Sequence, residues 1–394
     1  MAHIPSVYIV GAQRTALGSF QGAFQSTPAP QLGAQAIRAA MSQAGVSGKD
    51  IQECIMGQVL TAGAGQAPAR QAALYADIPP SVACMTINKV CGSGLKAIML
   101  ASDSLRLGHS ELAVAGGQEN MTLAPHLLEN VRGGYRMGHQ QLTDSMIKDG
   151  LWDPYNNFHM GNAGEICVKE YKLSREEQDQ FAKASYERAQ QAQKEGWFKE
   201  EITPVQVKMG RETSQFEVDE EPARARFDKM GQLRPAFDKE GSITAANASK
   251  INDGAAAVVL ASETALQSHG LKPLARVVSS ATFSQDPKWF TTAPVGAVKK
   301  ALALASLKPE DIDLYEINEA FSMVTLVAMK DLGIPHEKVN VHGGAVALGH
   351  PIGASGARIL TTLIYALKRR GGRYGLATLC IGGGEAVAMV VENQ

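Results

Sequence analysis

The sequence predicts an α/β protein made of two similar halves with an insertion, and three observations carry that reading. Short β-like runs alternate with segments of helical periodicity, which implies βα units on a mixed sheet. Four ordered features of the first part return in the last part at a nearly fixed distance. Between them, from about Met121 to about Thr244, the composition shifts toward charged, aromatic and loop residues.

The elements follow in order. Val7–Val10 (VYIV) reads as a strand, and Leu32, Ala36, Ile37, Ala40, Met41 and Ala44 recur at helical spacing before a stop at Gly45. Asp50-Ile51 follows, and the same pair returns as Asp311-Ile312, an offset of 311 − 50 = 261. Ser93-Gly94 opens SGLKAI and Ser355-Gly356 opens SGARIL, an offset of 355 − 93 = 262. Each opens a long amphipathic segment that ends at glycine (Gly108; Gly371-Gly372) and leads to a strand-like run, LAVA or YGLATLC. The runs end in Gly116-Gly117-Gln118-Glu119 and Gly382-Gly383-Gly384-Glu385. Ile312–Ile317 is the strand of the second half that matches the run after Ile51.

Composition narrows the function. With 38 Lys plus Arg against 39 Asp plus Glu in 394 residues, the formal net charge is -1, so neither nucleic acid nor an anionic membrane is the expected partner. Hydrophobic residues at 45% and charged residues at 20% exclude disordered and fibrous classes, and the length suggests about two or three domains. Five cysteines (Cys54, Cys84, Cys91, Cys167, Cys380) without a C-x-x-C pair suggest neither a disulfide framework nor a zinc site, so no metal is expected. The first residues lack a signal-peptide pattern, the last four lack a targeting tripeptide, and no apolar run approaches the ~18 residues of a membrane span. A soluble cytoplasmic protein is expected.

The glycine clusters mark where chemistry is expected. Cys91 lies between SVACMTINKV and Gly92-Ser93-Gly94, at a strand-to-helix junction with its thiol near a helix N-terminus. That position is expected to favour thiolate, because the macrodipole and free amides lower a cysteine pKa; the competing reading is a small buried hydrophobe. At the matching place stands HGGAVALGHPIGASG (His342–Gly356), whose His350 is a fixed imidazole able to take a thiol proton or polarise a carbonyl, or else a structural histidine. His342 is as well suited to holding the loop as to catalysis. Cys380 ends YGLATLC, where it is either a buried strand residue or a second reactive thiol. Two thiols suggest a nucleophile and an acid/base, with the amides of Cys91 and Gly382 holding an oxyanion at about 3 to 4 kcal/mol per donor. Asn318 precedes the helical run AFSMVTLVAMKDLG, where an N-cap is the simpler reading. Serine-hydrolase elbow, P-loop and dinucleotide-binding patterns are absent.

Together, VCGSG (Val90–Gly94), NEAF (Asn318–Phe321), GHPIGASG (Gly349–Gly356) and CIGGG (Cys380–Gly384) resemble the motifs of the thiolase family, in its acetyl-CoA acetyltransferase (acetoacetyl-CoA thiolase) branch. The resemblance runs from Val7 to Val391. It implies the thiolase fold: two βαβαβαββ halves in a five-layered αβαβα arrangement, with the first half at 1–120 and 245–272, an inserted loop domain at 121–244, and the second half at 273–394. It also implies a tight dimer, paired into a homotetramer through the loop around His126–Gln141. Acetyl-CoA and acetoacetyl-CoA are implied as substrates, with no separate cofactor. Cys91 would carry the acetyl group, His350 would activate it, and Cys380 would move the α-proton of the second acetyl-CoA. Asn318 would position a water that stabilises the enolate with His350, and the amides of Cys91 and Gly382 would form the other oxyanion hole. Ping-pong kinetics are implied.

Phe158-His159-Met160-Gly161 resembles the short-chain signature whose histidine and methionine line the acyl and pantetheine region, although an aromatic loop anchor is the plainer reading. Ser249 resembles the serine that contacts pantetheine, with Ala248, Ala320 and Phe321 lining the same tunnel. The family commonly has glycine after that serine, and this chain has Lys250. Pro222–Met230 is shorter by about one residue than the resemblance implies, which leaves Arg224 as the candidate for the CoA adenosine end and a solvated arginine as the alternative. Three rivals remain: a β-ketoacyl synthase, which would have a second catalytic histidine and no NEAF; a degradative 3-ketoacyl-CoA thiolase of broad chain length; and a non-catalytic thiolase-like lipid carrier or scaffold, which would have lost reactive residues.

Overall fold

The computed structural model describes residues 5–209 and 212–394. Nine principal strands build it: β1 (Val7–Thr15), β2 (Glu53–Gly57), β3 (Ala83–Ile87), β4 (Leu112–Asn120), β5 (Asn252–Ser262), β6 (Ala275–Ser284), β7 (Leu314–Ile317), β8 (Tyr374–Ile381) and β9 (Glu385–Asn393). Eight principal helices accompany them: α1 (Ala29–Ala44), α2 (Pro68–Tyr75), α3 (Ser93–Arg106), α4 (Met160–Tyr171), α5 (Arg175–Lys194), α6 (Ala293–Ala305), α7 (Ser322–Leu332) and α8 (Ser355–Arg370). The helical periodicity before Gly45 is α1, closed by Gly45 in the left-handed region at φ 72°. The second predicted helix is α8, closed in the same way by Gly371.

The strands lie in the order β7-β8-β9-β6-β1-β5-β4-β2-β3. The internal repeat is visible in that order, because β2-β4-β5-β1 and β7-β8-β9-β6 are the same arrangement read outward-in from either side of one seam. The seam is a short antiparallel pairing of Val7–Ile9 with Ala275–Val277, which joins the two halves into one sheet path. Within each half the outer pairs are parallel and the inner pairs antiparallel, so the sheet is mixed.

The layers follow from which faces are apolar. β5 buries every residue and β9 buries its run from Ala386 to Val391, as strands covered on both faces must. Helices α1 and α2 cover the outside of the first half, and α6 covers the outside of the second. Between the halves lie α3 and α8, packed on each other and on both sheets. α8 shows why: every residue from Ser355 to Leu367 is buried, Arg358 included, and exposed charge appears only at Lys368-Arg369-Arg370. The result is five layers, α-β-α-β-α.

Most of the segment between Met121 and Thr244 stays off the main sheet, forming short two-stranded ribbons together with α4 and α5. It is tied to the sheet by a short parallel pairing of Ile202–Thr203 with Arg14–Thr15 and by an ionic cluster. Arg14 of β1 is fully buried against Glu201 at 2.6 Å and Asp219 at 2.8 Å, and these carboxylates hold the guanidinium charged against the cost of burial. Among the described residues no helix is long and apolar enough to cross a membrane.

Candidate active site

Cys91 sits on a tight turn between β3 and α3. Gly92 N donates to Lys89 O at 3.0 Å and Ser93 N to Val90 O at 3.0 Å, while Val90 is forced to φ 44°. A β-branched residue in the left-handed region is a strained position, and it immediately precedes the thiol. The Ser93 hydroxyl braces the turn by donating to Val90 O at 2.7 Å and accepting from Lys89 N at 2.8 Å. Cys91 lines a cavity of about 230 Å³ together with His350, His159, Met160, Ser249 and Phe321. Ala248 and Ala320 line the same cavity, as do Lys250 and Phe237.

The expected thiolate is not favoured here. Burial pushes the Cys91 thiol up to about 11, and the nearby Glu119 carboxylate adds to the rise. The amides of Gly382 and Cys91 hydrogen-bond the sulfur and pull the other way, but they do not offset desolvation. The helix start was the right place; burial was the effect that won.

His350 is 5% exposed, and its position is set by backbone and side chain alike. Gly349 adopts φ 111°, and a β-carbon there would stand 2.2 Å from Asn252 Oδ1, so glycine alone fits. The His350 amide donates to Asn252 Oδ1 and to Lys250 O, each at 3.2 Å. On the ring, Nδ1 lies 2.6 Å from Ser355 Oγ, and the Ser355 hydroxyl donates to Pro351 O at 2.9 Å. This network assigns the ring proton to Nδ1 and leaves Nε2 as an acceptor, with Asn318 Nδ2 3.5 Å away. Burial, reinforced by Arg358, pulls the imidazole down to about 3, so it is neutral at rest.

Asn318 does not cap a helix. The N-cap of α7 is Phe321, with no side-chain cap bond, because Asn318 lies in the connection after β7 and its amide turns toward His350. Asn318 Oδ1 has no partner among the described residues, which leaves a buried acceptor for a ligand. The connection is fixed by Glu319, which accepts from Ser185 Oγ at 2.7 Å, Asn340 Nδ2 at 2.8 Å and Val346 N at 3.0 Å.

Cys380 stands next to last in β8 and is completely buried. It does not line the cavity; it packs in the apolar cluster that holds Met160, Ala320 and Phe321. Burial raises its thiol well above the ordinary range, and Cys91 is near enough that its charge raises it further. Gly382 opens the turn that follows, and a β-carbon on it would stand 3.2 Å from Met160 Sδ. His159 heads α4, accepts from Gly161 N through Nδ1 at 3.0 Å, and stacks on Phe237 with ring centroids 4.9 Å apart. Ser249 N donates to Ala320 O at 3.0 Å, and Ala248 bridges to Phe321.

Two candidates lie elsewhere. Arg224 is exposed in a short turn, 3.7 Å from Glu221, and does not line the cavity. His342 is buried against Trp197 and Phe198, away from the cavity lining, and its two ring nitrogens have no partner among the described residues. The sequence reading missed Ser355 as the partner of His350, Glu319 as the anchor of the Asn318 connection, and Phe237. Ser355 was visible as a helix opener, and Glu319 as part of NEAF; Phe237 carried no signal. Glu119 was noted only as part of the repeat. It is buried and accepts from Val59 N, Leu60 N and Gly353 N at 2.9, 3.2 and 2.9 Å, which ties the Cys91 side of the cavity to the His350 loop.

A five-layered fold of two repeats, with a cysteine turn from one and a histidine loop from the other opening on one cavity, defines a thiolase-type acyl-transfer site. The sequence matches the family model described as "Thiolase, N-terminal domain" over residues 7–264 and that described as "Thiolase, C-terminal domain" over residues 271–393. It is 53% identical to an acetyl-CoA acetyltransferase of Cupriavidus necator over 390 residues, covering 98% of this chain and 99% of that protein. It is 51% identical to an acetyl-CoA acetyltransferase of Shinella zoogloeoides over 390 residues, covering 99% of each. The crystal structure of the Bacillus anthracis acetyl-CoA acetyltransferase superposes with a TM-score of 0.97 at 40% identity, covering 100% of both chains. The chain belongs to the thiolase family and is an acyltransferase enzyme.

Proposed function

We propose that this protein is an acetyl-CoA C-acetyltransferase, which joins two acetyl-CoA into acetoacetyl-CoA and CoA, reversibly, through an acetyl group held on Cys91. The observation that carries this reading is the cavity shared by Cys91 and His350, with Nε2 of His350 free to accept.

The first half-reaction starts from a neutral pair. The Cys91 thiol gives its proton to His350 Nε2, and the sulfur attacks the acetyl carbonyl; the amides of Cys91 and Gly382, which already reach that sulfur, support a role as oxyanion donors. The thioester C–S bond breaks, and CoA leaves with a proton given up by Cys380, which becomes thiolate while His350 keeps the proton from Cys91. In the second, Cys380 removes an α-proton from another acetyl-CoA, and the enolate oxygen is stabilised by His350 and a water held by Asn318. The enolate carbon then bonds to the Cys91 acetyl carbon, and the Cys91 sulfur leaves with the proton held on His350, which restores the starting pair. The first step exchanges one thioester for another and is close to isoenergetic, which leaves it reversible, and ping-pong kinetics follow from the acetyl-cysteine.

A short acyl preference is supported by the side chains around the thiol. His159, stacked on Phe237, and Met160 line the same small cavity. Homotetramer assembly through the 126–141 loop is part of this reading, supported by Met137 at 95% and Val131 at 50% exposure in that loop. The test is mass spectrometry after brief exposure to acetyl-CoA, followed by steady-state thiolysis with acetoacetyl-CoA and with a long-chain 3-ketoacyl-CoA. An acetylated Cys91 and faster thiolysis of acetoacetyl-CoA are expected. An unmodified Cys91 points to a carrier, and equal rates point to a broad-range degradative thiolase.

A further inference from the structure

Lys250 follows Ser249 and lines the cavity beside it. Its aliphatic stem is half-buried, and its ammonium is turned inward. Nζ donates to Ala248 O at 2.7 Å and to Val346 O at 3.3 Å, and lies 5.5 Å from the centre of the Tyr186 ring. The two carbonyls come from different parts of the chain: Ala248 from the segment that leads into β5, and Val346 from the short helical turn Ala345–Leu348 just before His350. Val346 is held through its amide as well, since its N–H donates to Glu319 Oε2 at 3.0 Å. The His350 amide links the same two segments a second time, donating to Lys250 O and to the Asn252 side-chain Oδ1.

We infer that Lys250 is a positioning residue, whose ammonium acts as a tethered cation clamping the Ala248–Asn252 segment to the loop that carries His350. Two carbonyl dipoles that converge on one buried point repel each other unless a positive charge lies between them, and the Tyr186 ring face adds a third attractive contact. Burial lowers the ammonium to about 8, while Glu221 and Glu319 hold it up against that loss, so the clamp is charged at neutral pH. Removing the charge leaves two carbonyls facing each other and loosens the backbone that aims the imidazole at Cys91.

This inference rests on the acyl-transfer reading above, and the experiment separates the two. Acetylation by acetyl-CoA is followed at pH 7 in the wild type, Lys250→Met and Lys250→Ala. The Met variant keeps the apolar stem and is expected to acetylate about tenfold more slowly with little change in acetyl-CoA KM, the signature of a misplaced base. In Lys250→Ala, added methylammonium is expected to restore most of the lost rate, whereas tetramethylammonium at equal ionic strength does not. Lys250→Arg retains the charge and decides the question if Lys250→Met does not fold: fold and rate should both return, and their failure to do so overturns the clamp. A Met variant as fast as wild type, a loss confined to KM, or an alanine variant deaf to methylammonium also overturns it. A wild type that takes no acetyl group refutes the acyl-transfer reading instead, and this inference with it.

Discussion

Gly94 and Gly356, equivalent positions of the two repeats at an offset of 356 − 94 = 262, meet across the middle layer. A β-carbon on Gly94 would stand 2.9 Å from Ala357 N, and one on Gly356 would stand 2.3 Å from Leu95 N. The first turns of α3 and α8 therefore touch backbone to backbone. That approach is what lets the turn holding Cys91 and the loop holding His350 open on one cavity.

Gly356→Ala should therefore act on fold and site at once. The obstructing atoms are buried backbone, which cannot rotate away, so a loss of more than about 2 kcal/mol is expected from overpacking. Urea unfolding measures it, and a variant as stable as wild type would show that the helices can part without cost.

Ser355→Ala removes the group that keeps the His350 ring proton on Nδ1. With the tautomer and ring angle released, kcat should fall about 10- to 100-fold while KM changes little. Stability should fall by only about 1 kcal/mol, the worth of one buried hydrogen bond. Matched kinetic and thermal measurements distinguish this from general damage to the loop.

The raised Cys91 thiol sets a pH profile for the free enzyme. With the thiol pushed to about 11 and His350 pulled to about 3, the neutral pair dominates between those values. At pH 7 only about one Cys91 in ten thousand is then thiolate, and the fraction rises about tenfold per pH unit. Iodoacetamide alkylation of Cys91 should climb with that slope from pH 7 to 10. A rate already level below pH 9 would mean a stable thiolate and restore the helix-dipole reading.

The two thiols should separate by variant. Cys91→Ala is expected to abolish both half-reactions, whereas Cys380→Ser should still be acetylated by acetyl-CoA and fail to condense. Mass analysis of the acyl-enzyme and a coupled condensation assay read the two steps apart. Equal loss of acetylation in both variants would contradict the division of labour.

The parts of the fold that were legible in the sequence are those with strong period and punctuation. α1 and α8 carry one-sided or continuous apolar faces and end at glycines in the left-handed region, and the repeat offset survives as the matched strand order on either side of the β1–β6 seam. The pairing at that seam was not legible, because three residues of antiparallel register leave no mark in either strand. In the site, Cys91 and His350 stood out by their glycine surroundings. The state of the thiol did not, since desolvation depends on what the rest of the chain packs over it. Asn318 was read by the local rule for helix starts, and a contact 32 residues away, to His350, took its side chain instead. Lys250 was noticed only as a departure; the two carbonyls that receive it lie 2 and 96 residues away.

The seam between the repeats also bears on how such a molecule can arise. A thiol stands at the head of α3 and an imidazole stands just before α8, so neither repeat alone carries both groups. Two identical copies would present the same side chain twice, giving a symmetric scaffold with no partnership between unlike groups.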